Sequence, residues 1–269
     1  MVKKLFKHEI ASYKRIILPM HLILVAIAIV SRVVQLFDDN STTYNIIFGS
    51  TTTIFVIACI VCVVLTIIYC IKRFYTNFFS HEGYLTFTLP VSTTQHMLTK
   101  VTVAVMAQLF SIVMIIVACC TITFGDVCVE VFKAIGYIIG DIYNEVGINL
   151  IFHFIEIFFC LIVALGSSSL LFYACISIGQ RANKNRVAWA VGVYFIYYAA
   201  FQLIGTAIII FINAVSDTQW FIVLTGYLFE SGSRFLHYLL CGYIVYQLVL
   251  GTVFYYISKR TISKKLNLE

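Results

Sequence analysis

In 269 residues, 61% hydrophobic side chains against 11% charged ones leave too little polar material to clothe a water-soluble globule. The solvent that such a composition calls for is lipid. The formal charge of +6 is spread over short segments between apolar runs, so it points to membrane orientation and anionic headgroups and gives no case for a nucleic-acid partner.

The chain begins with Val2, Leu5, Phe6, Ile10 and Tyr13 at helical spacing, while Lys3, Lys4, Lys7, Ala11 and Lys14 occupy other faces. This pattern predicts an amphipathic helix over 1–15 in the membrane interface; the alternative is a disordered basic leader. Six apolar stretches follow, at 16–36, 46–71, 101–124, 151–178, 187–212 and 235–257. About 20 helical residues cross a hydrocarbon core of about 30 Å, so each stretch is long enough to span. A β-barrel would show short alternating segments, and these runs are continuous. The first stretch is too long for a secretory leader, and Ser31-Arg32-Val33 offers no small-x-small cleavage site, so it is expected to remain in the mature protein. The expected fold is an all-α integral membrane protein with six transmembrane helices, an N-terminal interfacial helix and both termini cytoplasmic. The loops are too short for separate cores, so 1–269 reads as one transmembrane domain.

The orientation comes from the basic residues. Lys3, Lys4, Lys7, Lys14, Arg15, Lys72, Arg73, Lys100, Arg181, Lys184, Arg186, Lys259, Arg260, Lys264 and Lys265 fall on one side, and only Lys133 and Arg234 on the other. The positive-inside rule makes the first side cytoplasmic. Acids complement it, because Asp38, Asp39, Asp126, Glu130, Asp141, Glu145, Asp217 and Glu230 lie in the opposite segments.

The cytoplasmic segment 72–100 is neither a tight turn nor a polar linker. Its aromatic and aliphatic residues would be costly in water, so they are expected to dock, either on a partner or on the protein's own helices. Gly83 can break the preceding helix, Pro90 can start a new segment, and Ser92, Thr93 or Thr94 can cap a helix entering the third span.

At Glu82-Gly83-Tyr84-Leu85-Thr86-Phe87-Thr88-Leu89-Pro90-Val91-Ser92, followed by Met97-Leu98-Thr99-Lys100, the sequence resembles the segment after the second helix in type-2 ABC (ATP-binding cassette) exporter permeases. The resemblance extends to the layout of interfacial helix, six spans and cytoplasmic segment between spans two and three. It implies that Glu82, Gly83, Tyr84, Leu85, Thr86, Phe87, Leu89 and Pro90 form a coupling element seated in a groove of an ABC ATPase subunit. It further implies a second permease subunit, identical or related, the bacterial cytoplasmic membrane as location, and an amphipathic or hydrophobic substrate such as an antimicrobial peptide, a bacteriocin or a lipid-like compound. Many such permeases carry their main external elaboration between spans five and six, whereas here the longer external segment, 125–150, lies between spans three and four. Within it Val131, Ile135, Ile138, Ile139, Ile142 and Val146 recur at helical spacing against Glu130, Lys133, Asp141 and Glu145. An amphipathic helix on the outer surface is expected, either capping a path or shielding loop backbone.

Charge within hydrocarbon is costly and usually paired. Arg32 lies toward the outer end of span one, and His153 and Glu156 lie one turn apart toward the outer end of span four. An Arg32–Glu156 contact is one expectation; snorkelling of Arg32 toward Asp38 or the headgroups is the other. His21, Gln108, Gln202 and Gln247 either line a polar path or hydrogen-bond between helices. Gly166-Ser167-Ser168-Ser169 permits close helix approach in span four. Eight of nine cysteines fall within spans, where they behave as small apolar residues; Cys59-x-x-Cys62 has neither a second pair nor a nearby histidine, so no metal site or disulfide framework is expected.

No Gly-x-x-x-x-Gly-Lys-Ser/Thr loop is present to cradle nucleotide phosphates, so an ATP-driven machine would need its motor, with ATP and Mg, in a separate polypeptide. No Gly-x-Ser-x-Gly elbow, His-Glu-x-x-His helix or pair of intramembrane carboxylates appears, and the chain is expected to have no catalytic residue and no cofactor of its own. The leading expectation is a permease subunit of an exporter. The others are a sensory or structural membrane protein with a cytoplasmic partner, and an ion-coupled carrier or intramembrane enzyme using His153, Glu156 and Arg32.

Overall fold

The computed structural model describes residues 2–37, 41–80, 83, 88, 90–182, 184–229 and 231–264. Its helices, in chain order, are α1 (Val2–Gln35), α2 (Thr42–Phe79), α3 (Thr93–Ile122), α4 (Asp126–Val146), α5 (Asn149–Gly179), α6 (Arg186–Val215), α7 (Gln219–Phe229) and α8 (Gly232–Lys264). No strand occurs among the described residues. Six of these helices, α1, α2, α3, α5, α6 and α8, are long and apolar enough to cross a membrane. The protein is an all-α, multi-pass membrane protein.

Each spanning helix has 30 residues or more. At 1.5 Å per residue that is about 45 Å, so every one extends beyond a hydrocarbon core of about 30 Å. The expected helix over 1–15 and the first span form one continuous helix: α1 runs unbroken through Arg15 and Ile16. No glycine or proline stands at that junction. Pro19 lies within the helix and, lacking an N–H, leaves the Arg15 carbonyl without its usual donor. The second span likewise continues past 71 to Phe79, ending four residues before Gly83. Ser92 caps α3: its hydroxyl accepts from the Gln95 N–H, and the Gln95 side chain accepts from the Ser92 N–H, a reciprocal capping box. The amphipathic helix expected within 125–150 is present as α4, whereas α7, between the fifth and sixth spans, has no counterpart in the sequence expectations.

The chain divides into two compact units, Met1–Phe74 with Leu89–Ile142, and Tyr75–Thr88 with Tyr143–Glu269. In the first, α1 packs along α3. Two apolar clusters hold it: Tyr13, Ile17, Cys70, Val103, Ala104 and Ala107 at one level, and Leu24, Ala28, Phe55, Cys62, Ala118 and Ile122 at another. Four of these are alanines, which let helix backbones approach where lipid tails offer no hydrophobic drive for association. Between the clusters His21 is fully buried; its Nδ1 is 2.9 Å from the Ile17 carbonyl and its Nε2 2.8 Å from Ser111 Oγ. The carbonyl can only accept, so Nδ1 carries the proton and Ser111 donates to Nε2. His21 therefore acts as an interhelical hydrogen-bonding residue.

In the second unit α5 packs most extensively on α8, and α6 packs on α5. Ser167 and Ser169, of the Gly166–Ser169 run, are buried, and a Cβ built on Gly251 of α8 would lie 3.7 Å from Ser167 Cβ. The close neighbour that this run permits is thus a helix of the same chain. At the α5–α6 turn the approach is tighter still: a Cβ on Gly179 would meet the backbone nitrogen of Ala190 at 2.7 Å.

Candidate functional site

The ends of the 72–100 segment are tied together by a carboxylate that the sequence patterns do not single out. Glu9, on α1, is 2% exposed. Its Oε1 pairs with the Lys100 ammonium from the first turns of α3, itself buried, and both carboxylate oxygens lie 3.3 Å from Arg73 Nε near the end of α2. Arg73 also donates from Nη2 to Ser12 Oγ at 3.1 Å, and Tyr69 donates its hydroxyl to the Ser12 carbonyl at 3.1 Å. Three helices therefore meet at one buried anion, and Arg73 and Lys100 stand at the two ends of the 72–100 segment. Glu9 is the one acid before Asp38 in a strongly basic leader, which is the only signal the sequence offers for it.

Of the expected coupling residues, Gly83 and Pro90 are described. Gly83 is buried and its N–H donates to the Ser80 carbonyl at 2.7 Å, while Pro90 is exposed. Glu82, Tyr84, Leu85, Thr86, Phe87 and Leu89 lie outside the described residues. The aromatic residues entering the segment, Phe74, Phe78 and Phe79, are buried within the protein itself. That part of the apolar run follows the second of the two docking expectations.

The intramembrane polar residues take different partners. Arg32 donates from Nη1 to Gln35 Oε1 at 3.0 Å, one turn along its own helix. Its guanidinium lies over Gly125, where a Cβ would sit 2.8 Å from Nη2; Gly125 has φ +114°, which L side chains rarely adopt. Both oxygens of Glu156 are engaged by histidines: Oε2 lies 3.1 Å from His153 Nδ1, and Oε1 pairs with His237 Nδ1. His153 is buried, and its Nε2 is 2.9 Å from Ser233 Oγ. Cys241 places its Sγ 3.8 Å from His237 Nε2.

This second cluster is built by register. His153, Glu156 and Cys160 follow one another at i, i+3, i+7 on α5, and Ser233, His237 and Cys241 at i, i+4, i+8 on α8, so each set shares a face near the start of its helix. The α5–α8 packing brings the two faces together. His237, Cys241 and Ser233 were not singled out from sequence, because the helix that carries them is far along the chain and a lone histidine in an apolar run has no distinguishing neighbour. Comparison with protein-family models, curated proteins and solved structures finds no match to this chain.

Proposed function

We propose that the chain is the permease subunit of an ATP-driven ABC exporter in a bacterial cytoplasmic membrane, working with a separate ATPase subunit that carries Mg-ATP and with a second permease subunit. The substrate class is an amphipathic or hydrophobic compound, such as an antimicrobial peptide or a lipid-like molecule. The observation that carries this reading is the buried Glu9–Lys100–Arg73 cluster at the base of the segment that resembles a coupling element. A motor pushing on a cytoplasmic segment moves the membrane helices only if the segment's ends are held stiffly. An anion shared between the two flanking cations supplies that stiffness, because a buried ion cannot be released into an apolar interior without a large desolvation cost. The chain's own lack of a phosphate-binding loop is in keeping with a motor on another polypeptide.

Co-purification in mild detergent with proteins encoded beside this one tests the reading. An ATPase subunit is expected to be recovered with the wild-type chain and lost with Leu85→Asp or Phe87→Asp. Failure to recover any ATPase, or recovery unaffected by both substitutions, overturns it.

A further inference from the structure

We propose that Glu156, His237 and Cys241 form a binding site for a zinc-class divalent cation, with His153 and Ser233 orienting the carboxylate. The inference stands apart from the permease reading, since it rests only on the α5–α8 cluster. A carboxylate oxygen of Glu156, a ring nitrogen of His237 and the Sγ of Cys241 all lie within 4.8 Å of one another. Tetrahedral zinc, with bonds of about 2.0–2.3 Å, separates its ligand atoms by about 3.4–3.7 Å. Cys241 Sγ stands 3.8 and 3.9 Å from the two ring nitrogens of His237, within a few tenths of an ångström of that spacing, while Glu156 Oε1 and His237 Nδ1, hydrogen-bonded to each other here, must part by about 1 Å for both to reach a metal, within reach of side-chain rotation.

The donor set selects the metal. One thiolate, one imidazole and one carboxylate suit zinc and its cobalt surrogate, whereas magnesium and calcium demand a shell of oxygens. Charge favours it as well: a carboxylate and a thiolate together neutralise a divalent cation, which removes net charge from a site set among apolar helices. His153 supplies the outer support that metal-ligating carboxylates ordinarily have. With Ser233 donating to its Nε2, its Nδ1–H donates to Glu156 Oε2, so a metal at Oε1 has only the His237 Nδ1 contact to replace. Three protein ligands leave a fourth position, and the His237 side chain is 50% exposed, so that position is reachable from outside the helix pair. A site of this form exchanges its metal or takes a water or an external donor as fourth ligand, unlike a closed structural zinc site.

Cobalt titration of the purified full-length chain in nanodiscs tests this. A thiolate-to-cobalt charge-transfer band and visible d–d bands are expected to saturate at a single equivalent and to be displaced by zinc. Cys241→Ser removes the charge-transfer band, and His237→Ala and Glu156→Gln weaken binding. His153→Ala lowers affinity about 10- to 100-fold while leaving the band in place, as loss of an orienting residue should. Zinc raises the thermal midpoint of the wild type but not of His237→Ala, and this readout, with chromatographic monodispersity, separates lost binding from lost folding. Absence of a band at one equivalent overturns the proposal. So does a band that survives Cys241→Ser and disappears in Cys59→Ser/Cys62→Ser.

Discussion

Glu9 shows how much a single side chain can carry in a protein whose helices gain little from hydrophobic burial against one another. Its carboxylate is shared by a buried ammonium and a partly exposed guanidinium, and removing its charge takes from both cations the anion they share where three helices meet. Breaking a buried ion pair from one side costs about 3–5 kcal/mol. Glu9→Gln is therefore expected to lower the thermal midpoint in detergent sharply. Glu9→Gln combined with Lys100→Met is expected to be less destabilised than the sum of the two single changes, with the double-mutant cycle reading the pair directly. Additivity would mean that the pair contributes nothing. Residues of this kind were poorly legible in the sequence: an acid in a basic leader looks like surface, and only the placement of Lys100 and Arg73 around it turns it into an anchor. Arg32 and Glu156 were legible as unusual, since charge within an apolar run stands out, and so was His153 one turn from Glu156, yet Gln35 and His237 were not. Gln35 is a polar neighbour one turn away, and His237 lies 81 positions from Glu156.

At the level of elements, apolar run length located the six spans well and their ends poorly. Helices end where backbone groups find other partners, and the turns beyond the apolar run have mixed polarity that a hydrophobic window does not register. α1 extends the first span backward through its amphipathic leader, and α2 extends the second forward to Phe79. The start of α3 was readable because capping chemistry is local: Pro90, Ser92 and Gln95 carry it within six residues. α7 was missed because an eleven-residue apolar helix is too short to span and has no polar face to give it a period. The α5–α6 turn supplies a test of packing. Gly179→Ala gains helix propensity of about 1 kcal/mol, but its Cβ would meet Ala190 backbone, which cannot yield without moving α6. Overpacking of about 1–3 kcal/mol should win, so the variant is expected to melt earlier than wild type. An unchanged or higher midpoint would mean that α6 slides freely there.

For the whole molecule, the basic residues make a prediction independent of any packing detail. A green fluorescent protein fused after the C-terminus is expected to fluoresce, and alkaline phosphatase fused after Val146 is expected to be active, because positive segments stay on the cytoplasmic side. The reverse pattern would overturn the orientation and with it the assignment of the 72–100 segment to the cytoplasm. By itself the sequence determined the class of solvent, the six membrane-spanning helices and the Lys/Arg asymmetry from which orientation is inferred. Those properties depend on run length and charge count, which are local and additive along the chain. Tertiary structure alone decided that Glu9 joins Lys100 and Arg73, that His21 meets Ser111, and that the faces carrying Glu156 and His237 close on each other. Such contacts arise from helix pairing between distant segments, and in lipid, where the spans are largely apolar all round, hydrophobic periodicity does not reveal which faces will meet.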